Sequence, residues 1–371
     1  MTRLAPLALL ALLVSGCASS RVDFAAEPST VAISEADVAA GERLFPMVIG
    51  GEWGYVDGEG REVILPRYEQ AADFSEGRAA VREDGQWGYI APSGQWTARP
   101  RYTIASPYSD GRARIATGQG DARRFGYLDP AGDEVIAPVL PFALDFSEGL
   151  ALVRLTTQRR TALQRYLARI GALEQGDGFV FLTTDGDIAF EVEGTSAASF
   201  SGGLAPFESD RGWFRSTTWG YLDRSGEVAI PAQIDGPAFR HTDGLARAAQ
   251  GGQVGFVDRE GVFVIPPTYS LALAFSEGLA PVQGEDGLWG YVDADGALAI
   301  EPQFRSALPF SGGLAVVQTR TGWGYIAPDG SLVIPATYSR AEAFRNGLAR
   351  VYEDRLLRYI NTDGETVWAQ P

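Results

Sequence analysis

The chain predicts an all-β fold made of tandem repeats of about 34 residues. Each repeat reads as a three-stranded antiparallel meander, and the units are expected to stack as an open superhelical array, with a closed β-propeller as the alternative and one inserted helix. Three observations lead there. A Trp-Gly-Tyr-aliphatic motif begins at Trp53, Trp87, Trp219, Trp289 and Trp323, with degraded copies at Phe125, Phe179, Val254 and Leu357. A second motif runs in the same phase: an aromatic, Ser, an acidic or small residue, then Gly. It stands at Phe74, Tyr108, Phe146, Phe200, Phe275, Phe310 and Phe344, with His241 in the aromatic slot of one copy. Between them lie Gly-closed turns such as Asp84-Gly85 and Ser93-Gly94, where Gly supplies the positive φ that tight hairpins require.

Taken in order, residues 1–16 are expected to be a lipoprotein signal peptide, since the apolar run from Leu4 to Val14 is too short to span a bilayer. Leu13-Val14-Ser15-Gly16-Cys17 resembles a bacterial lipoprotein cleavage box, which makes Cys17 the expected lipidation site. Residues 17–43 are small and polar, a flexible tether. Within it, 34–41 can form a helical turn or two capping the array, because Ser34 with Asp37 imitates a capping box. The β domain is expected over 44–371. Its strands follow from their length, β-rich composition and turn punctuation. Aliphatic-Pro elements such as Val63-Ile64-Leu65-Pro66 and Val333-Ile334-Pro335 are expected to end each third strand, since Pro cannot donate to a ladder. The first meander is complete from Phe45 and the last closes on its own third strand at 366–369, so no strand is left over to share with another unit. This is why the open array is preferred.

The repeat is broken in one region. Residues 156–178 form an insertion in which Leu163, Tyr166, Leu167, Ile170 and Leu173 fall at helical spacing, while Arg159, Arg160, Arg165 and Arg169 make it locally basic. A second departure, 208–218, adds Arg211, Trp213, Phe214 and Arg215 to a hairpin. Trp and Arg are enriched at binding hot spots. Arg160, Arg165, Arg169, Arg211, Trp213, Phe214 and Arg215 are therefore the candidate partner-binding residues.

The two motifs together resemble the WG-repeat family, β-rich repeats common in bacterial envelope proteins, over roughly residues 44–369. That resemblance implies fold far more than function, because the motif residues look architectural.

Composition narrows the functional classes. All basic residues are Arg, and 31 of them against 47 acidic residues give a net charge of −16. So acidic a surface disfavours phosphate backbones, and no nucleic-acid partner is expected. The single Cys is assigned to lipidation and the single His, His241, replaces a motif aromatic, so a packed ring is expected there rather than a catalytic relay. No metal or cofactor is expected. Asp57, Asp129, Asp223, Asp258 and Asp293 precede turns and are expected to accept hydrogen bonds from turn amides. Trp53, Trp87, Trp219, Trp289 and Trp323 are expected to be structural core, since the degraded copies keep apolar character but lose the indole. The alternative is a ladder of exposed rings for glycans. The reading is a non-enzymatic lipoprotein of the bacterial envelope, anchored to the membrane, with the outer membrane expected, and binding a protein or peptide. A cell-wall glycan-binding or glycan-processing protein is the alternative.

Overall fold

The Trp-Gly-Tyr segments form the middle long strand of every unit that carries them, flanked by two antiparallel partners. The computed structural model describes residues 35–41, 43–155, 178–209 and 217–371. These comprise one short helix, α1 (Glu35–Gly41), a single 3-10 turn and nine small antiparallel sheets, each contiguous in sequence. We call the sheets blades: 1 (45–68), 2 (70–102), 3 (104–140), 4 (142–191), 5 (196–234), 6 (246–269), 7 (271–304), 8 (306–338) and 9 (340–369). Helix α1 falls where the sequence placed a capping turn.

Most blades hold four strands rather than the three expected. The extra strand is a two-residue piece of the link before the second motif, such as Gln70–Ala71, Phe142–Ala143 or Ser306–Ala307, except in blade 3, where it runs over Ile104–Ser109. Blade 1 lacks it, and in blade 6 it shrinks to one bridge, Ala238 to Ala248.

The prolines do not end the third strands. Glu62–Tyr68 runs through Pro66 and Leu298–Phe304 through Pro302. In blade 1, Trp53 pairs with Tyr68 and Tyr55 with Ile64, so two residues face four and the third strand bulges. Pro66 sits in that bulge, where no amide is required of it. The motif glycine explains the bulge: a Cβ on Gly54 would lie 2.3 Å from Ile64 O, and one on Gly290 2.4 Å from Ile300 O. Blades 4 and 9 have Val180 and Arg358 in the glycine position and no third-strand proline, and there the pairing runs without this shift.

The core lies between blades. Each tyrosine of the Trp-Gly-Tyr motif is fully buried, Tyr55, Tyr89, Tyr221, Tyr291 and Tyr325 among them. One cluster joins Tyr127 and Ile136 of blade 3 to Val153 and Val180 of blade 4, and another joins Tyr325 and Ile334 of blade 8 to Phe344 and Val351 of blade 9. The decisive cluster joins Phe45, Met47 and Val56 of blade 1 to Leu357, Tyr359 and Trp368 of blade 9. Tyr359 OH also donates to Pro46 O at 2.8 Å. The array is therefore a closed, propeller-like ring of nine blades, not an open superhelix. The absence of a spare strand did not argue against closure, because this ring closes by side-chain packing with no strand shared. The expected helix at 156–178 lies outside the described residues but for Gly178, which begins the strand Gly178–Thr183.

Candidate functional site

The second motif builds the seams between blades. Its aromatic packs edge-on or tilted against the preceding blade's buried ring: Phe74 on Tyr55 at 4.9 Å, Tyr108 on Tyr89 at 5.1 Å, Phe310 on Tyr291 at 5.1 Å. The tyrosine hydroxyl then donates to the carbonyl two residues before that aromatic, as in Tyr55 to Ala72 O at 2.7 Å and Tyr325 to Glu342 O at 2.9 Å. Burial raises the pKa of these phenols, so they remain donors. The motif serine donates to the carbonyl of the next motif aromatic: Ser75 to Tyr108, Ser147 to Phe200, Ser276 to Phe310. The motif acid accepts from a glycine amide of the next motif, Glu76 from Gly111 at 2.9 Å and Asp110 from Gly149 at 2.7 Å. Glu76, Asp110, Glu148, Asp243 and Glu277 adopt left-handed φ between 49° and 55° because each opens a tight two-residue turn closed by Gly. The repeated polar residues are thus engaged in holding neighbouring blades together.

His241 behaves as the aromatic it replaces. It is 3% exposed, stands 4.8 Å from the Tyr221 ring, and its Nε2 bonds to Asp258 O at 3.1 Å. Burial lowers its pKa below the ordinary value, against the opposing Asp258 carbonyl. The turn aspartates also behave as expected. Asp293 Oδ1 accepts from Asp295 N at 3.1 Å and Ala297 N at 2.9 Å. The Ser225 hydroxyl, together with turn amides, holds the Asp223 carboxyl below the usual carboxylate range. Among the described residues no cluster of His, Cys, Asp or Glu is placed to hold a metal.

Trp53, Trp87, Trp219, Trp289 and Trp323 are all half-buried. They pack against the seam cores as partly covered neighbours rather than at their centre, which the tyrosines occupy. No flat row of exposed indoles results.

Two local departures remain as candidate sites. The first is a polar cluster at the seam where the ring closes. Asp73 receives both Arg345, at 3.0 Å, and Arg350. Arg350 also approaches Glu342 at 3.6 Å and donates to Tyr359 OH at 2.9 Å. Burial alone would lower the Arg350 pKa, but Tyr359, Asp73 and Glu342 outweigh it and keep the guanidinium charged. A cavity of about 70 Å³ opens beside these groups, lined also by Phe45 and Leu348. Its charges are mutually paired, so the cluster is built to hold surfaces together. The sequence carried its signal, Arg345 in a serine slot, but nothing there marked Asp73 or Arg350 as its partners.

The second lies at the hairpins of blades 4 and 5. Leu155 pairs with Gly178, and Ser209 with Thr218, so residues 156–177 and 210–216 depart from equivalent hairpins of adjacent blades. In blades 1, 2, 6 and 9 the same hairpin closes tightly, as between Glu83 and Gln86, and in blade 3 it carries the shorter stretch 118–123. At the base of the first, Arg154 lies over the Phe179 ring at 5.9 Å, and Phe179 meets Phe142 edge-on at 5.7 Å. Beside the second, Trp219 stands opposite Glu208. Arg160, Arg165, Arg169, Arg211, Trp213, Phe214 and Arg215 lie outside the described residues, as does Cys17.

Among solved structures the chain is similar to a eukaryotic initiation factor, at 10% identity and TM-score 0.52, covering 85% of this chain and 87% of that one. It is also similar to the computationally designed Ika8 protein, at 12% identity and TM-score 0.46, covering 80% and 93%. A third is BamB from Moraxella catarrhalis, at 14% identity and TM-score 0.38, covering 83% and 93%. The initiation-factor match is one of fold alone. No curated protein sequence matches the chain. The model of the WG containing repeat matches residues 53–87, 87–119, 125–156, 219–253, 255–289, 289–320 and 323–355. The middle strands of blades 4 and 9, which lack the motif glycine, fall outside those matches. With most of its length matched, the chain belongs to the WG-containing repeat family.

Proposed function

We propose that this protein is a non-enzymatic lipoprotein of the bacterial cell envelope, anchored through Cys17 and expected at the outer membrane, whose ring presents a surface for a protein or peptide partner. One observation carries the reading. The long connections 156–177 and 210–216, which carry Arg160, Arg165, Arg169, Arg211, Trp213, Phe214 and Arg215, leave and re-enter the ring at equivalent hairpins of adjacent blades. Their stems already present Arg154 over Phe179 and a half-buried Trp219. Arginine beside large aromatics is the composition of interface hot spots. In a chain of net charge −16, a locally basic sector also favours an acidic partner surface. The motif residues, by contrast, are spent on seams between blades, which leaves binding to the departures from the repeat.

The glycan-binding alternative would require accessible flat rings. The half-burial of the motif tryptophans gives that reading less support than the two hairpins give the first.

The test is affinity capture from envelope extract with the wild-type chain and with Trp213→Ala/Phe214→Ala. Loss of the captured partner by the variant, at unchanged melting temperature, is the expected outcome. An unchanged set of partners rejects the sector as the binding surface.

A further inference from the structure

The ring has one seam unlike all the others. Between every other pair of neighbours the chain itself passes from one blade to the next, which keeps the two faces at high effective concentration. Blades 9 and 1 have no such link, and four features there depart from the repeat together. Blade 1 has no second-motif aromatic: Ala40 occupies that slot in phase and is exposed. Phe45 takes its place against Tyr359, with ring centroids 5.4 Å apart, at a register position filled by Ala79, Ala113, Ala246 and Ala349 in other blades. Tyr359 OH bonds to Pro46 O, whereas in blade 2 the equivalent carbonyl, Ala80 O, accepts from the short-strand link at Ala72 N. Arg345, standing where other motifs have Ser or Thr, reaches past blade 1 to Phe74 O at 2.9 Å, and with Arg350 it grips Asp73 of blade 2.

Blade 3 carries the same kind of ion pair across an ordinary seam. Arg114 holds the same repeat position as Arg350 and pairs with Asp145 at 2.8 Å, the residue before the next blade's aromatic. That pair spans a seam the chain already crosses. The Arg350–Asp73 pair spans a seam that it does not.

We infer that the seam between blades 9 and 1 is the ring's built-in opening point, and that Asp73 is its latch, clasped by Arg345 and Arg350. Releasing it frees blade 9 from blades 1 and 2 and uncovers the Phe45, Met47, Leu357 and Trp368 cluster without unfolding the rest. The pairs are partly exposed, with side-chain exposures of 51% for Arg345, 23% for Arg350 and 30% for Asp73. Ionic strength therefore weakens the latch.

Amide hydrogen exchange read by mass spectrometry on the full chain tests this, comparing wild type, Asp73→Ala, Asp73→Asn and the matched control Asp145→Ala. In Asp73→Ala, strands Phe45–Ile49, Glu52–Val56 and Leu356–Asn361 should exchange more than about tenfold faster, with blades 5 to 7 unchanged. Asp73→Asn should fall between, and wild type should move toward it in high salt. Asp145→Ala should leave blades 1 and 9 protected. Equal effects of the two alanine variants on blades 1 and 9, or acceleration spread evenly around the ring, overturns the proposal. Unchanged exchange in Asp73→Ala overturns it too.

Discussion

At the scale of single residues, the glycine of the Trp-Gly-Tyr motif is under a harder constraint than the tryptophan. A Cβ on Gly290 would stand 2.4 Å from Ile300 O and 2.8 Å from Pro302 N, both backbone atoms that cannot rotate away. The half-buried Trp289 meets side chains that can adjust, and Phe125 already fills the same position in blade 3. Gly290→Ala should therefore cost about 1–3 kcal/mol through overpacking. Trp289→Phe should cost about 1 kcal/mol through reduced apolar burial. Urea denaturation of the two variants checks the order, and a costlier Trp289→Phe would contradict it. His241 offers a second test. Its folded pKa lies below the ordinary value because burial penalises the imidazolium, while the unfolded chain protonates near pH 6.5. Below that pH the unfolded state binds a proton that the native state refuses, so stability falls as pH drops from about 6.5 towards the folded pKa. His241→Phe, which restores the ring used at Phe275 and Phe310, should lack this component. The stability of the variant relative to wild type should rise on going from pH 7.5 to 5.5, and a constant difference would refute the assignment.

At the scale of elements, glycine and proline turn out to be one device. The third strand bulges towards the motif glycine, and the proline occupies the bulge. Blades 4 and 9 lack both residues and the bulge together. The sequence displayed this covariation, yet proline as a strand terminator was the simpler local reading. Only the pairing partners reveal that the strand continues beyond it. The two-residue strands were illegible for a related reason. A stretch such as Gln70–Ala71 is too short for any period, and it becomes a strand because the long strand Ala79–Glu83 offers it an edge. The turn aspartates and the packed His241, by contrast, were legible, since their partners lie within their own repeat or in an equivalent one. The sites called at the two insertions rested on composition and repeat phase. The structure adds that both insertions leave from equivalent hairpins of adjacent blades.

At the scale of the whole molecule, closure makes the terminal blades structural neighbours. Phe45, Met47 and Val56 are buried in one cluster with Leu348, Leu357, Tyr359 and Trp368. Removing 340–371 should thus expose two faces, that of blade 8 and that of blade 1, where an open solenoid would expose one. The truncated chain should bind a hydrophobic dye and lose its cooperative melt, and a truncation that melts as sharply as the parent would contradict a closed ring. The repeat, its phase, the strand-rich class and the places where the repeat fails are all legible in the residues alone. Each of these is written in local residue order, through turn glycines and apolar spacing. Tertiary structure alone decided that the array closes, and that Asp73 meets Arg345 and Arg350 across 272 and 277 residues of chain. Closure depends on how successive blades are set against one another, accumulated around all nine. No single repeat encodes that sum.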